Sequence, residues 1–436
     1  MKNLDLIGML LLATLVLSQA VVGSEKRVLS LESALMEVEN TNLSLLAARE
    51  GLEQAVEGVR RARAGLLPTV TAVAGQSRNQ SVTVGLGLEQ FGISRQSDPF
   101  SRFNAGVTVD LPLVDLASIA AYRESRYVNE ISEYEYQAVL EDIKLAVAET
   151  YVGVLRARRA LELGHEALAR AEELRDITQN RVDAGAANRI DLMRAKLEVS
   201  SAKQVVVSRE TTVFESEHLL KLLLDMDLGT ALELLPVKSA GLPPATFQDY
   251  KAILLKREDY LARLTEEDRA RLLVKAAGWQ RLPSLNAYGD YGYVSEEAFD
   301  GEEEEDWAVG IALSVPLFEG GKNKADKAMA RSNLAAVEVR LREVEQQVRN
   351  EVDVSSRRLQ EAESRLGLAE ETFALARATF DYALDRFQNG VGDNRELIEA
   401  QLGLASAETN RTEAQLLLEL GRLRYASATG ELEIAL

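Results

Sequence analysis

Few side chains in this sequence are of the types that carry out catalysis or hold metal ions. The chain has no cysteine and only two histidines, His165 and His218, each within sequence typical of a helix. A histidine-based metal or catalytic centre needs further ligands or a nucleophile, so we interpret both as surface or packing residues. The acidic run FDGEEEED at 299–306 lacks the ordered ligand spacing of a calcium loop and reads as a solvated loop. The sequence predicts no enzyme activity, no cofactor and no metal site.

The net charge and the first residues limit which cellular compartment and which partners the protein can have. A net charge of −19 argues against a nucleic-acid partner, because phosphate binding requires a basic surface. Lys2 precedes an apolar run at 6–17 that is too short to span a bilayer as a helix, and cleavage is possible after Ala20 or Gly23. We assign 1–23 as a signal peptide, so the mature protein is expected to be exported without a helical membrane anchor.

One short pattern of residues occurs twice, 205 positions apart, as RVDAGAANRIDLMRAKLEVSSA at 181–202 and RFQNGVGDNRELIEAQLGLASA at 386–407. Gly185 and Gly390 stand where a helix should stop, because glycine tolerates the left-handed conformation that ends helices. Each copy therefore predicts a turn between two helices, which we call the first tip and the second tip. The alternative interpretation is an ordinary surface turn.

The residues after each glycine predict the start of the next helix. Asn188 has the character of an N-cap, with Asp191 three residues on as its capping-box partner. Asp393 and Glu396 hold the same positions in the second copy. Each tip is thus expected to join a helix that ends to a helix that is capped.

Long tracts between the prolines predict very long helices. From Pro112 to Pro236, and again after Pro316, about 120 residues run without proline, which would cost about 3 kcal/mol inside a helix. In these tracts a large apolar residue recurs every seven positions, with a small residue three positions later, a pattern typical of closely packed coiled coils. The second tract shows it in Leu359, Leu366, Phe373, Phe380 and Phe387, with Ala362, Ala369, Ala376 and Ala383.

Two segments bracketed by proline alternate apolar with small or polar residues, which is typical of membrane β-strands. They are FNAGVTVDLPL from Phe103 and WAVGIALSVPL from Trp307, with upstream partners LPTVTAVAGQ from Leu67 and LPSLNAYGDYGY from Leu282. Four strands cannot close a barrel, and open edges in lipid leave backbone groups unpaired at a cost of several kcal/mol each. Membrane strands would therefore require several identical chains to pool them.

The chain resembles the TolC-like outer membrane efflux proteins over nearly its whole mature length. The resemblance is carried by two copies of strand–strand–long helix–tip–helix, by the tip pattern R-x-x-x-G-x-x-[N/D]-x-x-[D/E]-L-x-x-A, and by GVTVDLPL at 106–113 and GIALSVPLFEGG at 310–321. It implies a mainly α fold with a small β membrane part. The expected assembly is a trimer whose 12-stranded β-barrel continues into a long α-helical barrel, built from two internal structural repeats.

The resemblance also implies a place and a role. It implies a passive trimeric channel in the cell outer membrane that contacts outer membrane lipid and extends into the periplasm. It implies the exit duct of a tripartite efflux or type I secretion system, which opens when a periplasmic adaptor protein and an inner-membrane transporter dock. The alternative is a non-conducting coiled-coil structural or spacer protein of the cell envelope, which would explain the heptads and the export signal but not the paired strands.

Functional residues follow from the resemblance at the two tips. Glu396 and Glu399 match the acidic pair of the pore constriction, and Asp191 matches an acidic residue that helps to latch the closed state. Carboxylates that face one axis raise the local cation concentration and repel anions. For Glu396 a capping role is the alternative, and the two roles are compatible. The periplasmic tip and adaptor contact is assigned to Gly185, Asn188, Gly390 and Asp393.

The expected domain organisation follows the two copies. After the signal peptide, repeat 1 covers 24–235, with membrane strands at about 67–92 and 101–113 and a helical hairpin turning near 185. A linker in the equatorial region covers 236–246. Repeat 2 covers 247–436, with membrane strands at about 282–294 and 306–317 and a helical hairpin turning near 390.

Overall fold

The computed structural model describes residues 26–80, 99–185, 187–237, 249–298, 304–389, 391–392 and 394–432. The predicted signal peptide, most of the predicted linker, Gly390 and Asp393 lie outside these residues. The chain divides into two compact units. One consists of Met1–Arg49, Tyr136–Glu258 and Glu345–Leu436, and the other of Glu50–Glu135 and Asp259–Val344. We call the first the cap-and-tip unit and the second the sheet unit.

Helices make up most of the described chain, which confirms the mainly α prediction. The helices are α1 Leu31–Thr41, α2 Leu43–Ala64, α3 Leu116–Asp183, α4 Arg189–Leu223, α5 Tyr250–Leu254, α6 Glu258–Trp279, α7 Lys322–Gln388 and α8 Asn394–Ala428. The strands are β1 Arg27–Leu29, β2 Thr69–Asn79, β3 Phe100–Val114, β4 Leu232–Leu234, β5 Ser284–Ser295 and β6 Glu304–Ser314. No helix among the described residues combines the length and the apolar composition needed to cross a membrane.

A four-stranded antiparallel sheet dominates the sheet unit, in the order β2-β3-β5-β6. The pairings β2 with β3 and β5 with β6 are those that the alternating patterns predict. The central pairing, β3 with β5, runs from Phe103 opposite Ser295 to Val114 opposite Leu285, with an irregularity near Pro112. It joins the two strand pairs into one sheet. The alternating patterns do not predict this contact.

One face of the sheet is apolar and exposed. The rows of paired residues place Ala72, Val107, Tyr291 and Trp307 side by side, and Val109 and Val309 stand on the same face one row away. Trp307 is 65% exposed and Val309 is 77% exposed. The opposite face carries the polar rows, including Thr71, Thr108 and Asp290. Side chains on a strand alternate between faces, so this division follows directly from the period-two pattern.

Two glycines allow β3 and β5 to approach closely in the middle of the sheet. Gly106 and Gly292 are paired, and a Cβ atom on Gly292 would lie 2.5 Å from the carbonyl oxygen of Ala105. A Cβ atom on Gly106 would lie 2.8 Å from the carbonyl oxygen of Tyr291. No side chain fits at either position without a shift of the backbone, which explains the two glycines.

The cap-and-tip unit has a core around two short parallel strands, β1 and β4. Val147, Tyr151 and Leu220 are fully buried in this core. The Tyr151 hydroxyl lies 2.8 Å from the Leu29 carbonyl oxygen and 2.7 Å from the Leu235 carbonyl oxygen, so it can donate to either. Burial raises the pKa of Tyr151 above its ordinary value. The hydroxyl satisfies carbonyl groups next to the two strands.

The heptad pattern of the second tract is buried where α7 packs on α8. Leu359, Ala362, Leu418 and Tyr425 form one buried cluster. A Cβ atom on Gly421 would lie 3.6 Å from the Leu359 Cα atom, so the small residue lets the helix backbones come close. This agrees with the large and small alternation that the sequence predicts for a closely packed coiled coil.

Candidate functional site

The first tip turns in the way that its glycine predicts. Gly185 has a φ of 72°, in the left-handed region, and its N–H donates to the Val182 carbonyl at 3.0 Å. Asn188 then caps α4, because its side-chain oxygen accepts from the Ile190 N–H at 3.3 Å. Both predictions for this turn, a left-handed helix end and an N-cap, are confirmed.

Asp191 completes the capping box of α4. Its Oδ2 atom accepts from the Asn188 N–H at 3.3 Å, and its Oδ1 atom lies 3.6 Å from Arg194. The Asp191 side chain is 23% exposed. The carboxylate therefore neutralises part of the helix N-terminal dipole and faces one guanidinium. The predicted capping role of Asp191 is confirmed, and its latch role stays a prediction.

The second tip folds back on the end of α7. The Arg386 carbonyl accepts from the Val391 N–H at 3.0 Å and from the Gly392 N–H at 2.9 Å. A Cβ atom on Gly392 would lie 2.8 Å from the Phe387 nitrogen, so only glycine fits there without a shift. The predicted roles of Gly390 and Asp393 fall on positions outside the described residues.

A buried cluster brings the two tips together. Leu174, Ala383, Phe387 and Leu397 form it, with exposures of 4% or less, and Ile177 and Phe380 pack on it. The Arg181 guanidinium lies over the Phe387 ring at 4.4 Å from its centroid. A cation over an aromatic face is held by the charge distribution of the ring. The arginine that opens the first copy of the pattern thus lies against the end of α7, in the second copy.

Glu396 and Glu399 line one surface groove between α7 and α8. They are three residues apart on α8, so they lie on the same face of that helix. The groove has a volume of about 650 Å³, and Tyr382, Arg395 and Gly403 also line it. The Glu396 and Glu399 side chains are 45% and 63% exposed. Asp191 is not among the described residues that line this groove. The fold therefore brings two of the three predicted constriction residues into one place.

Each glutamate has a guanidinium of the same chain beside it. Arg395 Nε donates to Glu399 Oε1 at 2.7 Å, and Arg386 Nε lies 3.6 Å from Glu396 Oε1. Arg386 also approaches the Tyr382 ring and donates to the Val391 carbonyl at 3.4 Å. Neither arginine was predicted from the sequence as a partner of these glutamates. The spacing of four residues from Arg395 to Glu399 on one helix was the signal available for the first pair.

Comparison with known proteins identifies the family of this chain. A family model described as outer membrane efflux protein matches residues 34–224 and 250–431. The chain is 26% identical over 307 residues to the alkaline protease secretion protein AprF of Pseudomonas aeruginosa, covering 67% of this chain and 63% of that protein. It is 26% identical over 288 residues to the outer membrane protein TolC of Vibrio cholerae, covering 64% of this chain and 62% of that protein.

Solved structures agree on the fold. The CmeC outer membrane channel of Campylobacter jejuni matches with a TM-score of 0.81 at 19% identity, over 92% of this chain and 86% of that one. The outer membrane protein VceC of Vibrio cholerae matches with a TM-score of 0.80 at 18% identity, over 92% and 96%. The chain spans less than two thirds of the length of the two curated relatives above. The chain belongs to the outer membrane efflux protein family, and its location is the outer membrane, extending into the periplasm.

Proposed function

We propose that this protein is the outer membrane exit duct of a tripartite efflux or type I secretion system, a passive trimeric channel without a reaction of its own. The observation that carries the proposal is the four-stranded sheet with one exposed apolar face and one polar face. A sheet of this kind suits a wall between lipid and a water-filled lumen, because lipid-facing and lumen-facing residues alternate along each strand.

The edges of the sheet favour assembly from several copies. β2 and β6 form its two edges within the described residues, and each has 11 residues. They run in opposite directions, so β6 of one copy can pair with β2 of the next in the antiparallel manner. In lipid an unpaired edge costs several kcal/mol for each backbone group, so a ring that closes is favoured over a single open sheet. Three copies supply the 12 strands that the family resemblance implies.

The helices provide the periplasmic part of the duct in this proposal. α3 has 68 residues and α7 has 67. At 1.5 Å for each residue, such helices are about 100 Å long. The repeated order of strand, strand, long helix, tip and helix then supplies two helical hairpins in each copy, which is the organisation that the proposed repeats 24–235 and 247–436 describe.

The tips are the proposed entrance and the proposed docking site. Glu396 and Glu399 of three copies would face one axis as the pore constriction, with Asp191 in the latch of the closed state. The periplasmic adaptor would contact the tip residues, and an inner-membrane transporter would supply the substrate. The relatives that support this role include a secretion protein, AprF, and the outer membrane protein TolC.

The experiment that tests the proposal separates a duct from a spacer. Purified outer membranes should contain the protein as an oligomer that requires detergent for extraction, and the purified oligomer should produce stepwise conductance in a planar bilayer. A spacer protein would be peripheral or soluble and would leave the bilayer current unchanged. A detergent-free, single-chain species with ordered strands would refute the duct.

A further inference from the structure

A second groove lies in the sheet unit. It has a volume of about 760 Å³ and lies between α2, α3 and α6. The residues that line it are mostly basic, aromatic or amide side chains, with two carboxylates. The charged and aromatic ones are Arg123, Arg126, Tyr127, Glu130, Asp268, Arg271, Lys275 and Trp279.

The balance of charge in this groove is opposite to that of the chain. Four cations line it against two carboxylates, whereas the chain has a net charge of −19. Arg271 is satisfied by Glu267 at 2.7 Å and Asp268 at 3.1 Å. Across the described part of the chain, no carboxylate forms an ion pair with Arg126 or Lys275. Two exposed cations are therefore available to an anion.

An aromatic ring and an amide complete the lining. The Arg123 guanidinium lies 5.8 Å from the centroid of the Trp279 ring, which holds this cation at the groove. Asn129 also lines the groove, and its Oδ1 atom is buried and accepts no hydrogen bond from the described residues.

The groove lies next to one end of the sheet, and that end is apolar at every junction between strand and helix. Leu317 and Phe318, just after β6, are 92% and 88% exposed. Exposed leucines also precede β2 and β5, at Leu67 and Leu282. Trp279 is three residues before Leu282. Exposed apolar side chains with an adjacent tryptophan are typical of the boundary between hydrocarbon and headgroups.

We propose that this groove binds the headgroup of an anionic phospholipid from the periplasmic leaflet of the outer membrane. Arg126 and Lys275 bind the phosphate, and Arg123 and Trp279 form the wall. Basic grooves at a membrane boundary bind anionic headgroups by this chemistry. The inference rests on the proposed insertion of the sheet in the membrane.

The test uses the full-length oligomer, delipidated in detergent and mixed with phosphatidylglycerol, with bound lipid counted by native mass spectrometry. Arg126→Gln with Lys275→Gln should weaken lipid binding about thirtyfold. Each cation near an anionic lipid contributes a similar free energy of binding, and the roughly thirtyfold change is the loss of two such contributions. The matched control is Lys322→Gln with Lys324→Gln, which removes the same charge from the start of α7 beside Leu317 and Phe318. This control should bind as the unsubstituted protein does.

Tryptophan fluorescence gives a second readout, because Trp279 and Trp307 are the two tryptophans of the chain. In a Trp307→Phe variant, brominated phosphatidylglycerol should quench Trp279 at lower concentrations than brominated phosphatidylcholine does. The Arg126→Gln and Lys275→Gln changes should abolish this difference.

Three outcomes would overturn the inference. The first is an equal loss of lipid binding in the two substituted pairs, and the second is no loss of lipid binding in either pair. The third is displacement of bound lipid by millimolar inorganic phosphate as effectively as by added lipid. Conductance of the same unsubstituted preparation separates this inference from the proposed function. A protein that conducts but binds no lipid at the groove refutes the groove alone, and a protein that does not conduct refutes the duct.

Discussion

Glu396 and Glu399 are not isolated carboxylates, because each lies beside an arginine of its own chain. The Arg395 and Glu399 side chains are 71% and 63% exposed. An ion pair this exposed contributes about 1 kcal/mol or less to stability. Its consequence is therefore electrostatic: the guanidinium cancels part of the negative field that Glu399 projects into the groove. The cation preference of the proposed constriction should depend on the arginines as much as on the glutamates.

The charge balance at the proposed constriction predicts opposite effects for two sets of substitutions. Glu396→Gln with Glu399→Gln should reduce the preference for cations, because two negative groups of each copy are lost. Arg395→Gln should increase it, because Glu399 is then uncompensated. The measurement is the reversal potential of the bilayer conductance under a salt gradient.

The control for these substitutions is Glu210→Gln with Glu215→Gln, which removes two exposed carboxylates of α4. This pair should leave the reversal potential unchanged. If Glu396→Gln with Glu399→Gln also leaves it unchanged, those residues do not belong to the constriction.

At the scale of elements, the tips depend on a backbone conformation more than on a side chain. Gly185 has a positive φ, and nothing lies within 4 Å of the Cβ atom that a substitution would add. A substitution there is thus limited by backbone strain and not by space. Strain of this kind costs about 1–3 kcal/mol for most residues, and asparagine tolerates it better than valine does.

This predicts that Gly185→Val weakens docking of the periplasmic adaptor while the oligomer stays intact, and that Gly185→Asn changes docking much less. The sequence predicts that Gly390→Val also weakens adaptor docking and leaves the oligomer intact. The measurement is adaptor co-purification beside oligomer mass. Dissociation of the oligomer by Gly185→Val would mean that this turn is not a docking tip.

The sheet depends on a close backbone approach that glycine alone permits. At Gly292 an added Cβ atom would meet the Ala105 carbonyl oxygen at 2.5 Å, whereas at Gly289 it would meet the Ala308 carbonyl oxygen at 3.8 Å. We expect Gly292→Ala to destabilise the β3–β5 pairing by about 1–3 kcal/mol through overpacking. Gly289→Ala, on the same strand, should have little effect.

The yield of heat-resistant oligomer in detergent measures this difference. Equal yields from Gly292→Ala and Gly289→Ala would contradict the role that the close approach gives to Gly292. A lower yield from Gly289→Ala would contradict it as well.

At the scale of the whole molecule, the proposed ring makes β6 of one copy a neighbour of β2 of the next. The chain has no cysteine, so introduced cysteines have no competing partners. Thr71 and Ala308 stand on the same face of the sheet. We therefore expect Thr71→Cys, combined in turn with cysteine at Asp306, Ala308 or Ala312, to form an interchain disulfide in at least one register.

The expected product after oxidation is a ladder of dimers and trimers in denaturing gels, with the trimer as its largest species. Each single-cysteine variant, the matched control, should remain monomeric in the same gel. Failure of all three combinations in membranes that contain the protein would refute a ring closed through β2 and β6. A ladder that extends beyond the trimer would refute three copies.

Local features of this protein were predictable because they depend on neighbours in the chain. Alternation identified both faces of the strands, the heptads identified buried residues such as Leu359 and Leu418, and the capping box at Asn188 and Asp191 followed from residue types three positions apart. Periodicity and helix capping depend on residues a few positions apart, so they can be recognised in the sequence. The family pattern at the tips could be recognised for the same reason.

Contacts between distant residues were decided by the tertiary structure. The pairing of β3 with β5, the ring of Tyr288 over Gly310, the contact of Arg181 with Phe387 and the groove around Arg126 and Lys275 all join side chains or strands from separate elements. Such a contact forms only when the summed burial and hydrogen bonding of the fold outweigh the entropy of bringing the segments together. By itself the sequence determined the long helices, the two strand pairs and the tips. The short strands β1 and β4, the contact that joins the two strand pairs, and the place of the basic groove were decided by the packing of the whole fold.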